Sequence, residues 1–267
     1  MSHTDPVLDA NQRHWEKMVQ EACGFTRPWL HLDPAVLRRL AHAELDSPPQ
    51  PLDEMYPASL LAGAEGKDVL CLASGGGQQS AVFSLLGARV TVVDLTEGQL
   101  QGDRTAAAHY GYAVTTIQAD MRDLHMLGDA SFDIVFQAPS ISYVPDVRPV
   151  YAGVQRVLRE GGIYRVEFSN PATQFVDTDD WDGFGYRIRV PYAVRQTHKE
   201  GREAADFRHH LKDIFNGLIE AGFSIQSVQE APAHFKQDPN AQPGSWEHWL
   251  SVVHGQFAIV AIRQGRA

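Results

Sequence analysis

The sequence predicts an α/β protein with a parallel sheet, and three observations predict it. Short apolar runs alternate with helix-like stretches between Asp68 and Phe168, the rhythm of βαβ units joined by right-handed crossovers. The first run ends in consecutive glycines, Gly75-Gly76-Gly77, directly ahead of a helix-like stretch. The second run ends in an acid, Asp94, about twenty residues further on, where a carboxylate accepts hydrogen bonds from ribose hydroxyls. Strand, glycine turn, helix, strand and acid together imply a ligand that carries a nucleoside.

Taken in order, residues 11–21 read as a helix, with Trp15, Met18 and Val19 at helical spacing. Pro28, Pro34 and Ser47-Pro-Pro-Gln-Pro51 punctuate the stretch after it, with a helix over 34–43. Residues 1–60 are too short and too broken to bury a core of their own. They form an N-terminal helical lid segment, and 61–267 form the ligand-binding domain. Strands are expected at 68–72, 89–93, 113–118, 132–137 and 163–168, with helices at 78–86, 97–110 and 146–158 and a turn at 159–162. The rhythm breaks at about 170–203, a stretch rich in aromatics, Arg, Asp, Gly and Pro. An irregular segment of this length in a compact domain is usually functional, and it reads as a cap insertion, with a short strand at Tyr186-Arg-Ile-Arg-Val190. A helix at 207–221 and strands at 223–229 and 256–262 complete the pattern. No helix is evident between those last two strands, which suggests an antiparallel pair.

The 267 residues carry 23 Lys and Arg against 33 Asp and Glu, a formal net charge of −10. That balance argues against a general electrostatic grip on DNA or RNA. No apolar run approaches the ~20 residues that span a bilayer. The first residues lack the basic-then-apolar pattern of a secretory signal, so the expected location is cytoplasmic. Cys23 and Cys71 have no CxxC neighbour, and the twelve histidines show no ligand spacing, so no metal is expected. The sequence carries no signal for an oligomeric state.

The glycine turn brings backbone close to a ligand because no Cβ stands in the way. An ordinary strand-to-helix turn would explain it alone; Asp94 tips the balance toward binding. Asp94 could also cap the helix after it, and the division favoured is that Thr96 caps while Asp94 binds. Asp120 ends the third strand and is followed by Met121, an acid and an apolar face suited to an adenine amino group and ring.

These strand ends, with Phe132-Asp-Ile-Val-Phe-Gln-Ala-Pro-Ser140 and Val157-Leu-Arg-Glu-Gly-Gly-Ile163, closely resemble the class I S-adenosylmethionine-dependent methyltransferases, in particular those acting on small molecules. The resemblance covers about residues 60–170 strongly and 205–263 weakly. It implies a Rossmann-like seven-stranded sheet with its last strand antiparallel, helices on both faces, and S-adenosylmethionine as cofactor. It also implies roles: Ala73, Ser74, Gly75 and Gly77 at the methionine part, supported by Gln78; Asp94 at the ribose; Leu95 and Gln99 beside the nucleoside; Asp120 and Met121 at the adenine; Gln137 and Ala138 beside the sulfonium. Two positions depart from the family pattern. Cys71 replaces an acid and Ala73 replaces a glycine.

Acceptors in this group sit over the fourth and fifth strand ends under a cap. The candidates here are Trp15, Tyr143, Asn170, Trp181, Tyr186 and Arg187, with Arg187 and Arg189 able to face an anion or simply to lie on a solvated face. His234 and His248 lie in an aromatic-rich loop that could roof the site. The sequence lacks the Asn or Asp-Pro-Pro-aromatic motif of nucleic-acid amino methyltransferases; it has Gln137-Ala-Pro-Ser140 instead. The expected reaction is therefore in-line methyl transfer to N or O of a small molecule, with no nucleic-acid or membrane partner. No residue is singled out as catalytic, because the cofactor brings the reactive methyl. Two other readings share these features: a nicotinamide-dependent oxidoreductase, disfavoured by the missing G-x-G-x-x-G, and a non-catalytic nucleoside-binding module.

Overall fold

The computed structural model describes residues 5–45, 48–174, 176–197, 204–230 and 237–265. Helix α1 (Pro6–Gln20) starts where Asp5 accepts hydrogen bonds from Val7 and Leu8 N–H, with Pro6 in the first turn, a pairing that satisfies the orphan donors of a helix start. Helix α2 (Pro34–Ala41) repeats the device with Asp33 and Pro34. The sheet comes next: β1 (Asp68–Leu72), α3 (Gln79–Leu85), β2 (Arg89–Asp94), α4 (Glu97–Tyr110), β3 (Val114–Gln118), β4 (Phe132–Gln137), α5 (Arg148–Val157) and β5 (Leu158–Ser169). After a two-stranded ribbon, β6 (Gln196–Thr197) and β7 (Asp206–Phe207), come α6 (Leu211–Glu220), β8 (Phe223–Glu230), α7 (Trp246–Val252) and β9 (Gln256–Arg263).

The seven main strands lie in the order β3-β2-β1-β4-β5-β9-β8. Strands β1 to β5 pair in parallel, whereas β9 runs antiparallel to both neighbours. The side-chain alternation of each strand sends residues to two cores. Leu70, Leu72, Val135, Tyr164 and Val166 pack with Val150, Tyr151 and Val154 of α5 and Ile214 and Leu218 of α6. Val69, Cys71, Val92, Ile134 and Phe136 pack on the other face with Phe83 of α3 and Leu100 of α4. Trp29, Leu37, Leu40, Leu52, Met55 and Leu61 join that second core. Each such Leu or Val contributes about 2 kcal/mol by leaving water, so these side chains hold their segments to the sheet.

Several elements differ from the expectation. Residues 159–162 belong to β5: the register with β4 jumps between Phe132↔Leu158 and Ile134↔Ile163, so the glycines form an irregularity inside a long strand. The stretch at 186–190 is not a strand; a single bridge, Trp181↔Tyr186, closes a small loop there. Helix α6 begins four residues later than the apolar pattern suggests, because Asp206–Phe207 pairs with Gln196–Thr197. The β8–β9 connection does contain a helix, α7, capped by Ser245. No described helix is long and apolar enough to cross a membrane.

Candidate cofactor and acceptor site

The carboxyl ends of β1 to β5 open into one cavity of about 750 Å³. At its floor, the chain leaves β1 through Ala73, whose φ of +47° lies in the region glycine favours and which costs a non-glycine residue about 1 kcal/mol. Ala73 thus adopts, at some strain, the backbone of the glycine it replaces. At Gly75 a Cβ would stand 2.6 Å from the Gln99 Cβ and 2.9 Å from an Asp94 oxygen, so only a bare backbone passes there. At Gly77, φ is +76° and a Cβ would meet the Gly102 carbonyl at 2.4 Å, so the loop is pressed directly onto the backbone of α4.

Two carboxylates hold this loop. Asp94 Oδ2 accepts from Gly75 N–H at 3.0 Å, and Oδ1 accepts from both the N–H and the hydroxyl of Thr96. Thr96 therefore does not cap α4 with its side chain, contrary to the sequence expectation; its hydroxyl turns back to Asp94. Burial raises the Asp94 carboxyl above its ordinary range, against the pull of those donors. Beneath the loop, Asp103 of α4 is 0% exposed. Its Oδ2 accepts from Gly76 N–H and its Oδ1 from Gly77 N–H, both at 3.1 Å, and the Ser80 hydroxyl also donates to it. Burial pushes this carboxyl up to about 7 although those donors oppose it, and Asp94 adds to the rise. Asp103 also lies close enough to Cys71 to raise its thiol further, after burial. The acid absent from position 71 thus has a counterpart reaching the loop from α4. Sequence reasoning missed Asp103, although an acid on the same helix face as Leu100, Ala106 and Ala107 is a visible anomaly.

Ten of the twelve residues expected around the cofactor line the cavity: Ala73, Ser74, Gly75, Gln78, Asp94, Leu95, Gln99, Asp120, Met121 and Ala138. Gly77 does not, because its N–H is turned down to Asp103 and its carbonyl accepts from Trp29 N–H. Gln137 does not either. It is fully buried beneath the floor, where its amide donates to Ser140 Oγ and accepts from the Tyr164 hydroxyl. At the β3 end, Asp120 is gripped by Arg122, which also bridges to Asp5 at 2.8 Å and so ties the start of α1 to this corner.

Of the acceptor candidates, Trp15 and Tyr143 line the cavity and meet edge to face at 5.8 Å. Asn11 braces them, donating to the Tyr143 carbonyl. The other four lie off its walls. Asn170 shapes a turn: its side-chain oxygen accepts from Ala172 N–H and its own N–H donates to the Gly255 carbonyl. Trp181 and Tyr186 pack with His248 in a separate cluster, where the Tyr186 hydroxyl meets His248 Nδ1 at 2.8 Å. Arg187 is exposed and pairs with Asp182, which it holds at about 2; Arg189 pairs with Asp180. Both arginines are neutralised by acids of their own segment. Residues 198–203 of the expected cap and residues 231–236, with His234, lie outside the described residues.

The remaining walls come partly from segments that the sequence marks as covers of the site, the N-terminal segment and the 231–249 loop, but through residues it does not single out. Glu54 and Tyr56 come from the N-terminal segment, Glu167 and Ser169 from β5, Asp206 from β7, and Trp246, Glu247 and Trp249 from α7. Under them lies a buried ion pair: Arg165, 0% exposed, meets Glu167 at 2.6 Å. Its guanidinium also donates to the carbonyls of Tyr56 and Gln137 and is sandwiched between the Tyr56 and Phe136 rings at 4.6 and 4.4 Å. Both of its faces and all three of its nitrogens therefore meet a partner, Nη2 through the ion pair with Glu167.

A nucleoside with a ribose, an exocyclic amine and a free ammonium is rich in donors. The cavity offers acceptors in return: the Asp94 and Asp120 carboxylates, and the side-chain oxygens of Gln79 and Gln99, both buried with no hydrogen-bond partner. With a loop that tolerates no Cβ, this set of acceptors matches the donors of S-adenosylmethionine. The family model described as "Methyltransferase domain" matches residues 70–166. The "uncharacterized methyltransferase YbaJ" of Bacillus subtilis is 32% identical over 238 residues, covering 85% of this chain and 92% of that protein. A ubiquinone biosynthesis O-methyltransferase of Aromatoleum aromaticum is 32% identical over 143 residues, which span 50% of this chain and 61% of the relative. Among solved structures, an S-adenosylmethionine-dependent methyltransferase from Mesorhizobium loti shares the fold, with a TM-score of 0.63, 23% identity, and coverage of 77% of this chain and 97% of that one. The chain belongs to the S-adenosylmethionine-dependent methyltransferases. Its cofactor is S-adenosylmethionine, and the nicotinamide-dependent reading is set aside.

Proposed function

We propose that this enzyme transfers a methyl group to nitrogen or oxygen of a small-molecule acceptor by in-line displacement. One observation supports the reading above others: the cavity continues from the acceptor groups at the ends of β1 to β3 into an aromatic chamber beside β5 and β9. The chamber is walled by α1, the segment around Tyr56 and α7. When bound, S-adenosylmethionine supplies a methyl carbon on a positively charged sulfur leaving group. The protein has three tasks: to hold the nucleoside, to orient the acceptor and to keep water out. In this reading Asp94 takes the ribose hydroxyls, Asp120 and Met121 the adenine, with Leu95 and Gln99 beside the nucleoside, and the loop from Ala73 to Gly75, with Gln78, the methionine part. Trp15 and Tyr143 close the roof, and residues 5–60 act as the lid. Acidic walls suit neither a nucleic acid nor an anionic lipid surface.

Calorimetric titration with S-adenosylhomocysteine tests the assignment. Asp94→Ala is expected to weaken binding by about a hundredfold, as loss of a charge-assisted, buried hydrogen-bond partner does. Unchanged affinity would remove the ribose role.

A further inference from the structure

The half of the cavity beyond β4 is lined by acids, Glu54, Glu167 and Glu247 among them. Among the described lining residues the one cation is Arg122, which sits at the β3 end between Asp120 and Asp5. Arg165 lies beneath the wall and answers Glu167 alone. No cationic side chain pairs with Glu54 or Glu247 among the described residues, whereas every other carboxylate described around the nucleoside half is met by donors.

The Tyr56 ring lines the same chamber and is only 7% exposed. Its hydroxyl is buried against Glu167 and Arg165, and burial, with Glu167 nearby, holds it protonated. Trp246 and Trp249, 4.9 Å apart, form an aromatic wall beside Glu247. Carboxylates without counter-ions next to aromatic faces attract an organic cation. Among the described residues no three His, Cys, Asp or Glu side chains converge as metal ligands.

Resting on the methyltransferase reading above, we infer that the chamber selects a small cationic amine as methyl acceptor, bound between Glu54, Glu167 and Tyr56 under Trp246 and Trp249. The amine enters as an ammonium ion and gives one N–H proton to the Glu54 carboxylate. The freed lone pair forms the new N–C bond while the C–S bond breaks, its electron pair remaining on sulfur. An N-methylammonium ion and a neutral thioether result, and Glu54 returns its proton to water. Glu54 suits this task chemically: burial, with Asp53 and Glu167 beside it, pushes its carboxyl up to about 7, close to the working range of a proton acceptor.

The test uses the full chain and two titrations. S-adenosylhomocysteine is titrated first; absence of binding would overturn the methyltransferase reading itself. Protein saturated with S-adenosylhomocysteine is then titrated with tyramine, tryptamine and putrescine, each against analogues bearing a hydroxyl or a carboxylate in place of the amine. At least one amine is expected to bind about tenfold or more tighter than its alcohol, the margin of one charge-assisted hydrogen bond. Glu54→Gln is expected to erase most of that margin while leaving S-adenosylhomocysteine affinity within about twofold. Glu247→Gln, on the rim, gives a second readout should Glu54→Gln fold poorly, with a smaller loss in the same direction. Alcohols or carboxylates that bind as tightly as the amines, or no amine binding at all, overturn the inference and leave cofactor binding standing. A Glu54→Gln variant that loses S-adenosylhomocysteine but keeps its amine preference also overturns it, by giving Glu54 to the cofactor ammonium.

Discussion

The nucleoside half and the acceptor half of the cavity are built in opposite ways. The first is made by consecutive strand ends, and most of its polar groups are already met: Asp94 by Gly75 and Thr96, Asp120 by Arg122, and the glycine loop by Asp103. The second gathers side chains from residues 54–56, 167–169, 206 and 246–249, and among the described residues no cation pairs with Glu54 or Glu247. The lesson is one of preorganisation. On the proposed reading, a ligand common to a family meets fixed acceptors on a rigid frame, whereas selectivity would reside in groups left without a counter-ion.

Mutation can break this contrast at either side. The largest effect is expected from Arg165→Met. It leaves Glu167 buried without its cation, and removal of one partner of such a pair costs about 3 to 5 kcal/mol. Urea denaturation reads this directly, and a stability near wild type would mean that the acceptor wall does not depend on the pair. Next comes Asp103→Asn, which puts an NH2 group where one carboxyl oxygen receives N–H and O–H donors. S-adenosylhomocysteine affinity should fall about tenfold while the fold persists.

Asp103 also predicts a pH dependence. Its folded value of about 7 stands above the ordinary 3.8, so the native state holds this proton more tightly than the unfolded chain. The stability it contributes is complete below about 4 and is lost as pH rises through about 7. Urea midpoints at pH 5 and pH 8 should therefore fall more in wild type than in Asp103→Asn. Glu54, also raised to about 7, is common to both proteins and drops out of that difference. An equal slope in the two would show that Asp103 is ionised throughout. The smallest effect belongs to Arg187→Ala. Its guanidinium pairs with Asp182 on an exposed loop, and exposed pairs contribute little. Neither S-adenosylhomocysteine nor amine titration should change resolvably; a change would place the 181–187 loop over the chamber.

The same division explains what was legible in the sequence. Gly75, Asp94, Asp120 and Met121 stand at ends of strands that apolar runs mark plainly, and a parallel sheet brings such ends together without further information. The seven main strands and the helix over 97–110 follow from the same runs, whereas the reversed last strand is implied by the family resemblance. The acceptor wall depends on contacts far apart in the chain, and no periodicity encodes where Tyr56 meets Arg165, 109 residues later. Sequence reasoning instead settles on the nearest conspicuous aromatics and arginines, Trp181, Tyr186 and Arg187, which satisfy one another locally. Two further signals lie in the sequence. Arg165 and Glu167 interrupt an apolar strand at alternate positions, and Asp103 sits on the apolar stripe of α4. A charge inside a buried pattern marks a partner elsewhere in the fold.

Strand β9 slots between β5 and β8, and that insertion carries a temporal consequence. Because β9 follows every other strand in the chain, the gap between β5 and β8 stays open until residues past Gln256 have been made. The edge of β5 that carries Glu167 and Ser169 gains its antiparallel neighbour only then, and pairing between segments so far apart in sequence is intrinsically slow.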